Sequence, residues 1–142
     1  MKRILSFFLV AIATNAFAQN SVYLDSVTVK EFSTIAFQPI VPGSYGNELA
    51  IYGKSSINWI QKEDVKILMA LIRSDAKCRC VVHGFSSYRT PVTEYSTVGG
   101  IAMDLIDAFR GQTQYPARMW TCTKTDKQRA AAIEKWWATY EQ

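Results

Sequence analysis

The sequence predicts an α+β fold, mainly α, in which short N-terminal strands precede three or more amphipathic helices packed antiparallel around one core. Apolar residues recur at helical spacing in three stretches after residue 58. The stretch before it is rich in β-branched residues and alternates with period two. The length suits one hydrophobic core and not two.

The chain opens with Met1-Lys2-Arg3, continues through Ile4 to Ala13 with only Ser6 breaking an apolar run, and reaches Ala16-Phe17-Ala18, a small-x-small site. This is the three-part pattern of a secretory signal peptide over 1–18, with cleavage expected after Ala18. The apolar run is shorter than the roughly 20 residues a membrane-spanning helix needs, and the first cysteine that could take a lipid is Cys78. The expectation is a single exported domain, 19–142, periplasmic or secreted, with no stable membrane anchor. Lys2 and Arg3 leave with the signal, so the formal charge of +4 falls to about +2. The remaining charges alternate in sign, as in Lys62-Glu63-Asp64 and Asp126-Lys127. A nucleic-acid binder needs a clustered basic stripe, so nucleic acid is excluded as a partner.

Residues 19–57 read as extended. Val27 and Val29 alternate with Thr28 and Lys30, and Ile35 and Phe37 with Thr34 and Ala36, which predicts two or three short strands. Pro39, Pro42, Gly43 and Gly46-Asn47 interrupt them, and Leu49 to Tyr52 supplies a further strand. The body, 58–142, is helical. Val65, Leu68, Met69 and Ile72 share one face of a helix over 62–74, with Glu63 and Asp64 at its start and Arg73 near its end to suit the helix dipole. From Asp75 to Tyr95 the spacing dissolves into a long irregular connection. A second helix starts at a Ser96 or Thr97 cap, buries Val98, Ile101, Ala102, Leu105 and Phe109, and ends where Gly111 can turn left-handed. Thr125-Asp126-Lys127-Gln128 has the spacing of a capping box and opens a third helix striped by Ile133, Trp136, Trp137 and Tyr140.

Several residues are candidates for a site. Gly99 and Gly100 weaken the first turn of their helix by about 1 kcal/mol each. Either a neighbour approaches them closely, or the exposed amides hold an anion. Trp136 and Trp137 lie about 100° apart around their helix, so one is available for binding unless the core face is wide. The loop residues His83, Ser86, Ser87 and Tyr88 complete the set of possible binding residues.

Three cysteines in an exported chain point to disulfide bonding. Cys78 and Cys80 are too close in sequence to bridge each other without strain, so the expected bond joins Cys80 to Cys122, with Cys78 as the alternative partner. The competing reading is a zinc site of Cys78, Cys80, His83 and Cys122. Another makes His83 the base for Ser86 or Ser87, oriented by Asp104 or Asp107. Neither a nucleophile elbow nor a phosphate loop nor a metalloprotease motif is present, so no catalytic residue, metal or cofactor is assigned.

Ser86-Ser87-Tyr88, Ser96-Thr97-Val98-Gly99 with Ala102, Arg110-Gly111 and Tyr115-Pro116-Ala117 together resemble small uncharacterised exported bacterial proteins with a helical, HEAT-like body. The resemblance covers Glu63 to Tyr140 and implies paired antiparallel helices around one core, with no catalytic residues to carry over. The functional expectation is a non-enzymatic binding or interaction protein of the cell envelope, immunity or inhibitor-like, with a protein or envelope partner. The alternative is a small metal-dependent or serine-type hydrolase centred on Cys78, His83 and Ser86.

Overall fold

Two runs are buried on consecutive residues, Leu49-Ala50-Ile51 and Cys80-Val81-Val82. A strand buried at successive positions has both faces covered, which is the habit of parallel strands under helices. In a computed structural model that describes residues 21–41, 47–84 and 94–142, both runs form the centre of such a sheet. The described chain runs β1 (Ser21–Tyr23), a 3-10 turn (Leu24–Ser26), α1 (Val29–Ala36), β2 (Glu48–Tyr52), α2 (Lys62–Met69), β3 (Lys77–Cys78), β4 (Cys80–His83), β5 (Ser96–Thr97), α3 (Val98–Gly111), β6 (Trp120–Thr121) and α4 (Lys127–Tyr140). The predicted signal peptide with its cleavage site, and Ser86, Ser87 and Tyr88, lie outside the described residues.

The class is α+β and mainly helical, as predicted. The main sheet has the order β1-β2-β4-β6. β1 pairs parallel with β2, Ser21 opposite Ala50, and β2 pairs parallel with β4, Leu49 opposite Val81. β6 runs antiparallel to β4, Val81 opposite Thr121. Parallel neighbours need a crossover, and α1 and α2 lie within the two crossovers. β3 and β5 form a separate antiparallel pair.

Three predictions of local structure need correction. Residues 29–36 are helical, where the alternation predicts strands. The helix is set by a capping box at Thr28 and Glu31: the Glu31 amide donates to Thr28 Oγ1 (3.2 Å) and the Thr28 amide to Glu31 Oε2 (2.7 Å). Val29, Phe32 and Ala36 then fall on one buried face. The stretch after Asp75 is not wholly irregular, because Cys80-Val81-Val82 is a central strand. Helix ends also shift. The residues after Met69 continue as tight turns, with the Leu71 amide on Leu68 O (2.8 Å) and the Ser74 amide on Leu71 O (2.9 Å). Gln112, not Gly111, takes the left-handed conformation (φ 50°) after α3. The cap of α4 is Asp126, which accepts from the Arg129 amide at 2.7 Å, while the Thr125 hydroxyl donates to Ser74 O at 2.7 Å.

α3 is the innermost helix. It is buried on most sides, from Val98 through Met103 and on to Leu105, Ile106 and Ala108, and it contacts α2, α4 and β5. Its first turn depends on glycine. A Cβ on Gly100 would lie 2.1 Å from Thr123 O, and one on Gly99 would lie 2.6 Å from Ile72 O. The amides are spent internally, Gly99 on Ser74 O (2.9 Å) and Gly100 on Thr97 Oγ1 (3.1 Å). Packing therefore accounts for both glycines. Cys80 and Cys122 form the disulfide, Cα atoms 4.6 Å apart, and Cys78 is a buried free thiol.

Gly100→Ala should prevent folding or destabilise the protein by more than about 3 kcal/mol, because the clash is with backbone. Gly111→Ala, whose Cβ would come no closer than 3.4 Å to a Thr113 methyl, should be neutral or stabilise by about 0.5 kcal/mol. Urea unfolding of the two variants checks the contrast.

Candidate functional site

One polar stripe crosses the otherwise apolar α3: Asp104, Asp107 and Arg110, spaced three apart. The Asp126 cap orients the first turn of α4, and from that turn Arg129 reaches back to both carboxylates. Its Nε donates to Asp107 Oδ2 (2.9 Å) and its Nη2 to Asp104 Oδ1 (2.8 Å). Thr123 donates to Asp104 Oδ2 (2.5 Å), and Arg110 Nη1 donates to Asp107 Oδ1 (3.1 Å). All four carboxylate oxygens are thus engaged. Partial burial works against the Arg129 cation, but the hydrogen bonds and attraction from Asp104 and Asp107 together outweigh it and hold the guanidinium above its usual range.

This cluster forms one wall of an open cavity of about 350 Å³. The rest of its lining comes from Ala108, from Thr113 and Tyr115 to Arg118, a stretch with a cis peptide between Tyr115 and Pro116, and from Thr121. Tyr115 is held from both ends. Its amide donates to Ser55 Oγ (2.8 Å), its carbonyl accepts from the Ser55 amide (2.9 Å), and its ring packs on Phe32 and Trp59 at 5.5 and 6.0 Å. Tyr115 is 2% exposed, yet its hydroxyl has no hydrogen-bond partner among the described residues, and neither does the buried Thr121 hydroxyl. Burial, reinforced by the nearby Asp104 and Cys78, pushes the phenol well above its usual range, so it keeps its proton. Arg118 is exposed on the same cavity, and its guanidinium has no ion-pair partner among the described residues.

The candidates named from sequence are scattered. His83 ends β4, and its amide donates to Met119 O (2.8 Å). Asp104 and Asp107 do not orient its imidazole, because their oxygens are occupied by Arg129, Thr123 and Arg110. The zinc alternative loses two of its four ligands, Cys80 and Cys122, to the disulfide. Trp137 is core at 8% exposed, packed with Ala130 and Ile133. Trp136 is half-buried against Phe109 (6.3 Å) and Tyr140 (5.2 Å), with the Arg110 guanidinium 5.0 Å above its ring. A wide aromatic face, partly roofed by a cation, accommodates both tryptophans. Tyr115, Arg118, Thr121, Thr123 and Arg129 are not among the residues that sequence reasoning selects. The signal available was the Asp-x-x-Asp-x-x-Arg stripe on an apolar helix.

No protein-family model, curated protein or solved structure matches the chain.

Arg129→Met should lower stability by about 2 kcal/mol, because it strips charged hydrogen bonds from two partly buried carboxylates, and Asp104→Asn in the same chain should recover part of that loss in urea unfolding. Cys78 tests the interior. Burial, only partly offset by Lys124, pushes its thiol from 9.0 up to about 12. Between those values the unfolded chain releases a proton that the native chain retains. Stability should therefore fall as pH rises through this window, by at most about 1.4 kcal/mol per pH unit. Cys78→Ala should flatten that fall in thermal melts, and alkylation at about pH 8 should label Cys78 only after unfolding.

Proposed function

We propose that this chain is an exported, disulfide-bonded, non-enzymatic binding protein of the cell envelope, and that its ligand site is the cavity between α3, the 113–118 segment, β6 and α4. The observation that carries the reading is an open cavity of about 350 Å³ whose lining includes both the Asp104–Arg129–Asp107 cluster and Arg118, a cation with no ion-pair partner among the described residues. Binding is favoured over hydrolysis because both carboxylates beside the cavity are tied to arginines, Asp104 to Arg129 and Asp107 to Arg129 and Arg110, in a cluster that holds the chain together. The basic start, apolar run and Ala-x-Ala site of residues 1–18, with the Cys80–Cys122 bond, support an oxidising destination.

The test is native mass spectrometry of the disulfide-intact protein after incubation with envelope extract and desalting. A stoichiometric small-molecule adduct is expected on the wild type. It should vanish in Ala117→Trp, which fills the cavity from an exposed wall position. An adduct that survives this substitution, or none on the wild type, sinks the assignment of the cavity.

A further inference from the structure

The sulfur atoms of the described chain differ sharply in what can reach them. Cys80 and Cys122 are already oxidised, each bonded to the other. Cys78 is buried, and burial pushes its thiol up to about 12, so the thiolate that oxidants attack is scarce near neutral pH. Met103, in the middle of α3, is 0% exposed. Met69, at the end of α2, is partly buried against the core. Met119 is 63% exposed. Its main chain is nonetheless held, because its carbonyl accepts from the His83 amide at 2.8 Å and the next residue, Trp120, pairs with Val82 across β4 and β6. A solvated thioether therefore stands on a fixed backbone, and the sheet pairing beside it does not depend on that side chain.

We propose that Met119 is a reversible oxidation site, converted to methionine sulfoxide by hydroperoxides ahead of every other described sulfur in the folded chain and restored by a methionine sulfoxide reductase. The proposal is independent of the cavity and of any ligand it holds. In the forward step a lone pair of the thioether sulfur attacks one oxygen of hydrogen peroxide. The S–O bond forms, the O–O bond breaks, and the departing oxygen takes the proton of the transferred one and leaves as water. Sulfur gives up two electrons and the peroxide gains them. In the return step a dithiol of the reductase removes the oxygen as water and becomes a disulfide. A sulfoxide is polar, and inside a core it disrupts packing. At Met119 the side chain is already in water, so the fold tolerates the change. Met103 presents the opposite case, since an oxidant reaches it only when α3 is opened.

Timed exposure of the disulfide-intact protein to hydrogen peroxide, followed by peptide mass mapping, tests this. In native buffer Met119 should gain one oxygen at least about tenfold faster than Met103 and about threefold faster than Met69, and in urea the three rates should converge to within about twofold. The protein oxidised at Met119 alone should melt within about 1 °C of the untreated protein. Reductases for the two sulfoxide epimers should together return it to its original mass. Met119→Leu, at an exposed position, should abolish the fast phase and leave the melting temperature unchanged.

Oxidation of Met69 or Met103 as fast as Met119 in native buffer overturns the assignment of the site. So does a ranking that persists in urea, or a fast phase that survives in Met119→Leu. A sulfoxide on the folded protein that both reductases leave in place overturns its reversibility.

Discussion

The Cys80–Cys122 bond joins an inner strand of the sheet to a described stretch with little regular structure of its own. Around Cys122, β6 contributes only Trp120 and Thr121, and Thr123 and Thr125 are held by a few hydrogen bonds, Thr123 to Thr97 and Asp104 and Thr125 to Ser74 and Thr97. With the cysteines 42 positions apart in sequence, the chain-entropy model puts the stabilisation at about 4 kcal/mol. Against a net stability of roughly 5–15 kcal/mol for a domain of this size, one covalent link is a large share. It also fixes where Thr123 runs, and so where α3 can start. Gly100 must be glycine because the Thr123 carbonyl is there.

The cavity is a product of the same constraint. Thr121 and Thr123 flank the half-cystine, and Arg129 lies one helical turn beyond the segment it anchors. The other wall is fixed independently, through the paired Ser55–Tyr115 hydrogen bonds and the Phe32 and Trp59 rings. Charge is balanced within the first wall, where two aspartates and two arginines close on one another.

The later helices were legible because their signals are local and repeated: the Thr97 cap and the 98–109 stripe for α3, and Ile133 with Trp137 for α4. A bridge to Cys122 was legible from chemistry and compartment, whereas the choice of Cys80 over Cys78 was not and is made by the fold. α1 was misread because Val29, Thr34 and Ile35 are β-branched and its eight residues give too few turns for periodicity to prevail; Thr28-x-x-Glu31 was the better guide. β4 was missed because a four-residue run beginning with cysteine has no period to detect. The cavity was largely illegible. Its residues come from separated stretches between Asp104 and Arg129, and an unsatisfied hydroxyl such as that of Tyr115 is a property of packing. Asp104 and Asp107 were noticed, but for a histidine they do not serve.

The disulfide also encloses a stretch of chain. Everything between Cys80 and Cys122, including all of α3, belongs to one covalent ring closed through sulfur. A protease that cuts once within that ring opens it without separating the protein into two pieces, and the innermost helix stays attached at one end to the sheet or at the other to α4. A single cut before Cys80 or after Cys122 has no such safeguard, and the severed part is then held by packing alone. Under proteolysis, this topology places the tolerance to damage around the most deeply buried helix of the core.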